Sequence, residues 1–263
     1  MPRSLLHAIL AAAGFAAAFA PRAAHSETIR VGVTPGPHAE IAEVAKKVLA
    51  GSGIDLKIFE FSDYARLNPA LADGDLDANS FQHQPYLDQQ VKDRGYKIVS
   101  IAKTMIFPMS VYSRKVKSLA ELPQGGKVAI PNDPTNGARA LLLLQAQGLI
   151  KMKGGGLTVS AVDVAENPKK LKIVEVDAAQ LPHVLPDVDA AVINTNFAVQ
   201  AKLDPAKDAI ARESKDSPYV NVIAIRAADR EKPWVKKLVD AFHSPEVRKF
   251  VETKYPGVLL LGF

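Results

Sequence analysis

The sequence has no cysteine in 263 residues. That excludes disulfides, thiolate metal sites and a cysteine nucleophile. The six histidines are far apart and none forms a His-x-x-x-His pair, which argues against a zinc site of that kind. No Gly-x-Ser-x-Gly elbow occurs, so serine-hydrolase chemistry lacks its usual signature. No long Lys/Arg run is present either. Lys and Arg number 33 against 28 Asp and Glu, a formal charge of +5. Two of the arginines, Arg3 and Arg22, lie in the N-terminal segment, so the rest of the chain is only mildly basic. Lys169-Lys170 and Lys236-Lys237 read as solvated faces, which gives no basis for nucleic-acid binding.

Two further patterns fall short of a site. Gly154-Gly155-Gly156 is followed by no Lys-Ser or Lys-Thr pair and joins no strand to a helix, so it is a surface turn and not a phosphate loop. Asp73, Asp75 and Asp77 alternate, but Gly74 separates the first two and the bidentate Glu that closes a calcium loop is missing. Neither a metal nor any other cofactor is implied.

The one long apolar run spans residues 5–20 behind Arg3. It is Ala-rich, broken by Gly14 and ended by Pro21, which is too short and too weakly hydrophobic for a stable membrane span. It fits the charged and hydrophobic regions of a secretory leader. Ala18-Phe19-Ala20 and Ala24-His25-Ser26 offer small residues for cleavage. The expectation is a signal peptide over residues 1–26 and a soluble, periplasmic mature chain.

The remainder is long enough to bury a sizeable core and alternates strand and helix patterns. Residues 28–33 and 54–61 alternate as strands. Between them, Ile41, Val44, Ala45 and Val48 keep helical spacing over 39–49. Helices are expected over 64–72, 86–94, 136–147, 234–242 and 245–254. Strands are expected over 97–107, 109–112, 127–131, 172–176, 190–193 and 219–226. Four consecutive leucines, Leu141 to Leu144, mark the helix at 136–147 as deeply buried. This order indicates an α/β protein.

The stretch richest in chemistry is Asn79-Ser80-Phe81-Gln82-His83-Gln84-Pro85-Tyr86. Rings, an imidazole and amides crowd into eight positions, and Pro85 argues against a helix interior or a central strand. Such a run suits the wall of a small polar pocket.

This run resembles a segment of the NlpA/MetQ family, the methionine-binding proteins of bacterial ABC importers. The resemblance extends to Val31-Gly32-Val33-Thr34-Pro35-Gly36-Pro37-His38, Ile130-Pro131-Asn132-Asp133-Pro134-Thr135-Asn136-Gly137, Ala190-Ala191-Val192-Ile193-Asn194-Thr195-Asn196 and Glu213-Ser214-Lys215-Asp216-Ser217-Pro218-Tyr219-Val220-Asn221. Several long motifs in the same order are far more specific than one short pattern.

The resemblance implies a two-lobed periplasmic binding protein of type II-like α/β fold, with the ligand cleft between the lobes. Lobe 1 is expected over residues 27–111 plus 226–263, and an inserted lobe 2 over 112–225. The implied function is binding methionine and delivering it to a membrane permease with a cytoplasmic ATPase, not enzymatic catalysis. Another apolar amino acid or a short dipeptide is an open alternative, as is a periplasmic enzyme acting on a small amino-acid-like substrate. Many members are lipoproteins anchored through a cysteine, and the lack of cysteine here leads to the expectation of no lipid anchor.

The same resemblance places Tyr64, Phe81, His83, Tyr86, Arg139, Asn194 and Asn221 around the ligand. Their chemistry suits a free amino acid. Arg139 can hold a carboxylate, Asn oxygens can accept from an ammonium, and rings can enclose an apolar side chain or a thioether. Each also has a plain structural alternative. Tyr64 and Phe81 could be core residues, His83 could orient a loop, Arg139 could pair with Asp133, and Asn194 and Asn221 could cap turns.

Overall fold

The computed structural model describes residues 26–263. The leader expected over 1–26 lies almost wholly outside the described residues. Among the described residues no helix is long and apolar enough to cross a membrane.

The chain starts with β1 (Glu27–Val33), α1 (Pro37–Leu49), β2 (Ile54–Glu60), α2 (Leu67–Asp73), β3 (Ala78–Asn79), α3 (Gln84–Arg94) and β4 (Ile98–Ile106). It then enters a second sheet through β5 (Ser110–Tyr112), β6 (Lys127–Pro131) and α4 (Pro134–Ala146). A small hairpin, β7 (Lys151–Met152) with β8 (Val164–Glu166), follows. The second lobe is completed by β9 (Lys172–Val176), α5 (Leu181–Val184), β10 (Ala190–Ile193), α6 (Thr195–Gln200) and β11 (Ala209–Arg212). The chain returns as β12 (Val220–Arg226), α7 (Pro233–Phe242), α8 (Pro245–Lys254) and β13 (Leu260–Leu261).

Two mixed sheets result. The first has the order β13-β4-β12-β3-β1-β2, with β1 parallel to β2 and β3 and with β12 antiparallel to β3 and β4. The second has the order β11-β5-β10-β6-β9, parallel through β10, β6 and β9 and antiparallel at β5 and β11. Each sheet is covered by helices, and each has its own core. In the first lobe Val31, Val33, Leu56 and Ile223 pack against α1, α7 and α8. In the second, Leu141 and Leu144 of α4 pack on Val128, Ile130 and Val192. Leu141 and Leu144 are fully buried, as the leucine run implied.

Local chemistry sets many of the boundaries. Six of the eight helices, α1, α3, α4, α5, α7 and α8, carry proline at the first or second helical position, where its missing N–H goes unused and its fixed φ is already helical. Pro85 is one of them, so the run at 79–86 ends as the first turn of a helix. The helix expected from residue 64 begins only at Leu67, which leaves Tyr64 in the turn before it.

The crossings between lobes differ from those expected. Ser110–Tyr112 was read as a strand at the end of the first lobe, but it pairs with β10 and β11 of the second sheet. Val220–Arg226 was assigned mainly to the second lobe, yet it pairs along its length with β4 of the first sheet. The chain therefore crosses at residues 107–109 and again at 213–219. Hydrogen bonding along a strand overrides its place in the sequence pattern, since each strand must satisfy its backbone groups in one sheet or the other. The two connections run side by side, and the Glu213 N–H donates to the Met109 carbonyl at 2.9 Å.

Gly137 tests how closely α4 sits on the end of β6. A Cβ there would lie 2.9 Å from the Pro131 carbonyl oxygen. Alanine would gain about 1 kcal/mol of helix propensity against an overlap costing about 1–3 kcal/mol. Gly137→Ala should therefore lower the urea midpoint of unfolding. A midpoint equal to or above wild type would mean that α4 can slide freely away from β6.

Candidate functional site

A cavity lies between the lobes. Tyr64, Phe81, His83, Tyr86, Arg139, Asn194 and Asn221 all line it, so the structure brings all seven expected residues together. His38, Gln82, Phe107, Asn136, Thr195 and Asn196 complete the lining. All of these but Phe107 stand within the motifs that carry the family resemblance, yet none is among the seven expected residues.

The first-lobe wall is built on a buried cluster of three amides. Asn68 Nδ2 donates to Gln82 Oε1 at 2.8 Å, and Asn68 Oδ1 accepts from Gln82 Nε2 at 2.7 Å and Asn79 Nδ2 at 2.9 Å. Gln82 Nε2 also reaches Asn79 Oδ1 at 2.9 Å. The amides satisfy one another without water, so a run that looks like a polar loop can be buried and held in one shape. Asn68, at the start of α2, is invisible to any local motif.

Beyond this cluster the chain turns into α3 with His83 at the N-cap position. His83 Nδ1 accepts from the Tyr86 N–H at 3.1 Å. That bond leaves the proton on Nε2, which lies 3.1 Å from Asn136 Oδ1 in the opposite lobe.

The second-lobe wall takes its polarity from Asp133, the N-cap of α4. Its Oδ1 accepts from the Asn136 N–H at 2.9 Å, and both carboxylate oxygens lie 3.0 Å from Asn136 Nδ2. The Asn136 amide must therefore turn its NH2 to the carboxylate and its oxygen to the cavity side. That oxygen accepts from His83 and, at 2.8 Å, from Asn194 Nδ2. Asn194 stands at the N-cap of α6 but caps nothing with its side chain. With its NH2 committed to Asn136, its Oδ1 is buried without any partner. Such an orphaned acceptor is costly unless something donates to it.

Arg139 follows one turn along α4, with only 3 % of its side chain exposed. It does not pair with Asp133. Its Nε and Nη2 contact Glu213 at 3.0 and 2.5 Å, and Nη2 also donates to the Phe107 carbonyl at 2.9 Å. The Tyr219 ring lies over the guanidinium, 4.4 Å away. No side-chain or carbonyl partner among the described residues takes Nη1. Glu213, on the second crossing, is not among the expected site residues. A contact across 74 positions leaves no local trace.

The remaining wall is aromatic. Tyr64 has ring-centroid distances of 5.7 Å to Phe81, 6.1 Å to Tyr86 and 4.9 Å to Phe197. Its hydroxyl donates across the cleft to Asn196 Oδ1 at 2.6 Å. His38 stacks on Phe107 at 4.2 Å. Asn221 Nδ2 reaches the Phe81 carbonyl at 3.3 Å, tying β12 to the wall run.

Burial keeps most of these groups neutral. It pushes the Tyr64 and Tyr86 hydroxyls well above their ordinary range, with Asp133 adding to the effect. It lowers His38 to about 3, and burial together with the nearby Arg139 charge lowers His83 to about 3. Burial also raises the Asp133 carboxyl against its hydrogen bonds from Asn136. Chemically, the cavity offers one free guanidinium nitrogen, one unsatisfied carbonyl oxygen and a ring-lined space. That suits a small zwitterion with an apolar tail. No group of three or more residues suited to holding a metal occurs among the described residues.

Comparisons with known proteins agree in kind. The family model described as NlpA lipoprotein matches residues 29–262. A D-methionine-binding lipoprotein MetQ of Salmonella typhimurium is 52 % identical over 239 residues, covering 89 % of this chain and 88 % of the relative. The protein of that name from Escherichia coli K12 is 51 % identical with the same coverage. Among solved structures, a nutrient binding protein from Burkholderia cenocepacia bound to methionine is 59 % identical, with a TM-score of 0.87 over 89 % of this chain and all of that one. The methionine binding protein MetQ gives 51 % identity and a TM-score of 0.87, covering 90 % of this chain and 98 % of that one.

The two buried imidazoles generate a pH dependence. Folded, His38 and His83 stay unprotonated down to about pH 3, whereas unfolded imidazoles protonate near pH 6.5. The unfolded chain therefore binds more protons between these values. Stability is complete above about pH 6.5 and falls as pH drops, by about 2 kcal/mol per histidine at pH 5. Asp133, with its raised carboxyl, acts in the opposite sense. Urea unfolding at pH 7 and pH 5 should show the loss, and His38→Gln should remove a substantial part of it. Equal stability at both pH values would contradict the burial assigned to these rings.

Proposed function

The chain belongs to the NlpA lipoprotein family, and from that premise we propose that its cleft captures methionine and delivers it to the membrane permease of an ABC importer. The observation that carries the reading is the pairing of two unfilled valences in one closed, ring-lined cavity. Arg139 Nη1 can donate to a carboxylate, and the orphaned Asn194 Oδ1 can accept from an ammonium. Tyr64, Phe81 and Tyr86 then surround an unbranched apolar side chain, where a thioether gains from contact with ring edges.

The enzyme alternative has less to support it. Both ring nitrogens of His83 are committed, and the Thr195 hydroxyl donates to the Pro108 carbonyl at 2.5 Å. Neither is placed as a base or an activated nucleophile, which needs a free partner. On this reading the protein works by binding, hinge closure and docking.

The MetQ relatives are named lipoproteins. This sequence offers no cysteine to receive a lipid. The proposal is therefore a periplasmic protein whose membrane contact runs through the permease. Cell fractionation checks this: the protein should leave with the periplasmic extract without detergent, and recovery mainly in washed membranes of cells lacking the transporter would refute it.

Calorimetry with a ligand panel tests the function itself. Methionine should bind more tightly than valine or isoleucine, whose β-branching crowds the rings. It should also exceed glutamate, whose second carboxylate would be buried without a partner. Norleucine should fall slightly below methionine, by the sulfur–ring contact of about 0.3–1.5 kcal/mol. Asn194→Ala should weaken methionine binding by about 2–5 kcal/mol, roughly thirtyfold or more, since it removes the ammonium's acceptor. Asn194 is a cleaner probe than Arg139, whose loss would also strand Glu213. A largest response to glutamate, lysine or a sugar, with none to methionine, would sink the proposal.

A further inference from the structure

Arg139 serves the cleft and the hinge with one guanidinium. Its Nη2 holds the Phe107 carbonyl on the first crossing, and Nε and Nη2 together hold the Glu213 carboxylate on the second. Glu213 is locked in turn to the first crossing. Its Oε2 accepts from the Met109 N–H at 3.1 Å, and its own N–H donates to the Met109 carbonyl. Its side chain is only 12 % exposed. The Nε–Nη2 edge of the guanidinium is thus already filled by an anion belonging to the protein.

We propose that Glu213 is a resident counter-anion that competes with the ligand's carboxylate for Arg139. It keeps the buried guanidinium paired while the cleft is empty, and it caps the affinity so that the ligand can leave. The proposal rests on the reading of the cleft as an amino-acid site.

A ligand carboxylate at Nη1 would be the second anion on one cation. In a closed cavity, like charges a few ångströms apart repel far more than they do in water. The other groups facing the site offer no relief. His38 and His83 are neutral, Tyr64 and Tyr86 keep their protons, and Asp133 is a further acid. In the empty protein the balance reverses, because a buried guanidinium without Glu213 would lie uncompensated. Binding to a protein lacking the Glu213 charge would relieve that cost. A role confined to aiming the guanidinium leads to the opposite sign, since neutralising Glu213 would then loosen Arg139 and weaken binding.

Glu213→Gln preserves size and one acceptor oxygen while removing the charge. Calorimetry with methionine and with methioninamide, which lacks the carboxylate, separates the two roles. The variant should bind methionine about three- to tenfold more tightly than wild type. Its preference for methionine over methioninamide should rise, because only methionine carries the competing anion. Empty, it should melt below wild type, and methionine should raise its melting temperature by more. Should Glu213→Gln fail to fold, Glu213→Asp keeps the charge on a shorter arm, and its looser hold on Arg139 should still tighten methionine binding. Unchanged or weaker methionine binding in the folded variant would overturn the proposal and leave Glu213 as a positioning residue. Wild-type protein that binds no methionine would overturn the amino-acid reading, and this inference with it.

Discussion

The polar order of the cleft descends from the Asp133 carboxylate. An amide has a donor end and an acceptor end, and a carboxylate accepts only, so Asn136 can face Asp133 in just one way. Its oxygen then requires donors. His83 meets that need in the tautomer fixed by its own cap bond, and Asn194 meets it with its NH2. The unpaired Asn194 oxygen is the end of this chain of choices. Reversing either Asn136 or Asn194 would set donor against donor or acceptor against acceptor, and the cleft would offer the wrong polarity to a cation. The recognition chemistry is therefore a property of the connected network, not of any one side chain.

The same network straddles two bodies. His83–Asn136, Tyr64–Asn196, Asn196–Thr34 and Gln200–Pro35 all bridge one lobe to the other. A typical hydrogen bond contributes about 1 kcal/mol net, so a handful of them stabilise closure only modestly. Two short connections at 107–109 and 213–219 leave hinge bending as the natural motion. A ligand touching both walls would add to the closed state alone, which is how binding shifts such an equilibrium. The walls must meanwhile hold their shape. The Asn68–Gln82–Asn79 cluster does this for the first lobe and the N-terminal turn of α4 for the second.

Charge in the cleft is nearly balanced within the protein. Arg139 is answered by Glu213, and burial keeps the imidazoles and phenols neutral. The family relatives named for methionine binding share this fold closely, and a zwitterion adds no net charge to such a site. A ligand with a net charge carries one ion more than the two open valences, Arg139 Nη1 and Asn194 Oδ1, can answer, and that ion must be desolvated without a partner.

Much of this was legible in the residue order. Prolines in first turns, alternation in β1 and β2, and the leucine run of α4 act within a few positions, where backbone sterics and burial periodicity dominate. Five of the seven expected residues, Phe81, His83, Tyr86, Asn194 and Asn221, stand in long, specific motifs, Arg139 stands two positions beyond one, and Tyr64 stands outside them. What the sequence alone did not contain is which groups meet across the chain. Arg139 finds Glu213 and not the nearby Asp133, Asn68 underpins a wall fourteen residues away, and His38 becomes part of the lining. The crossings shifted for the same reason, since Val220–Arg226 belongs to whichever sheet hydrogen-bonds it. Local patterns thus determined the elements and the residue types of the cleft. Tertiary structure alone decided the partners, the direction of each amide and which valences stay open, because those depend on distances between segments that only folding brings together.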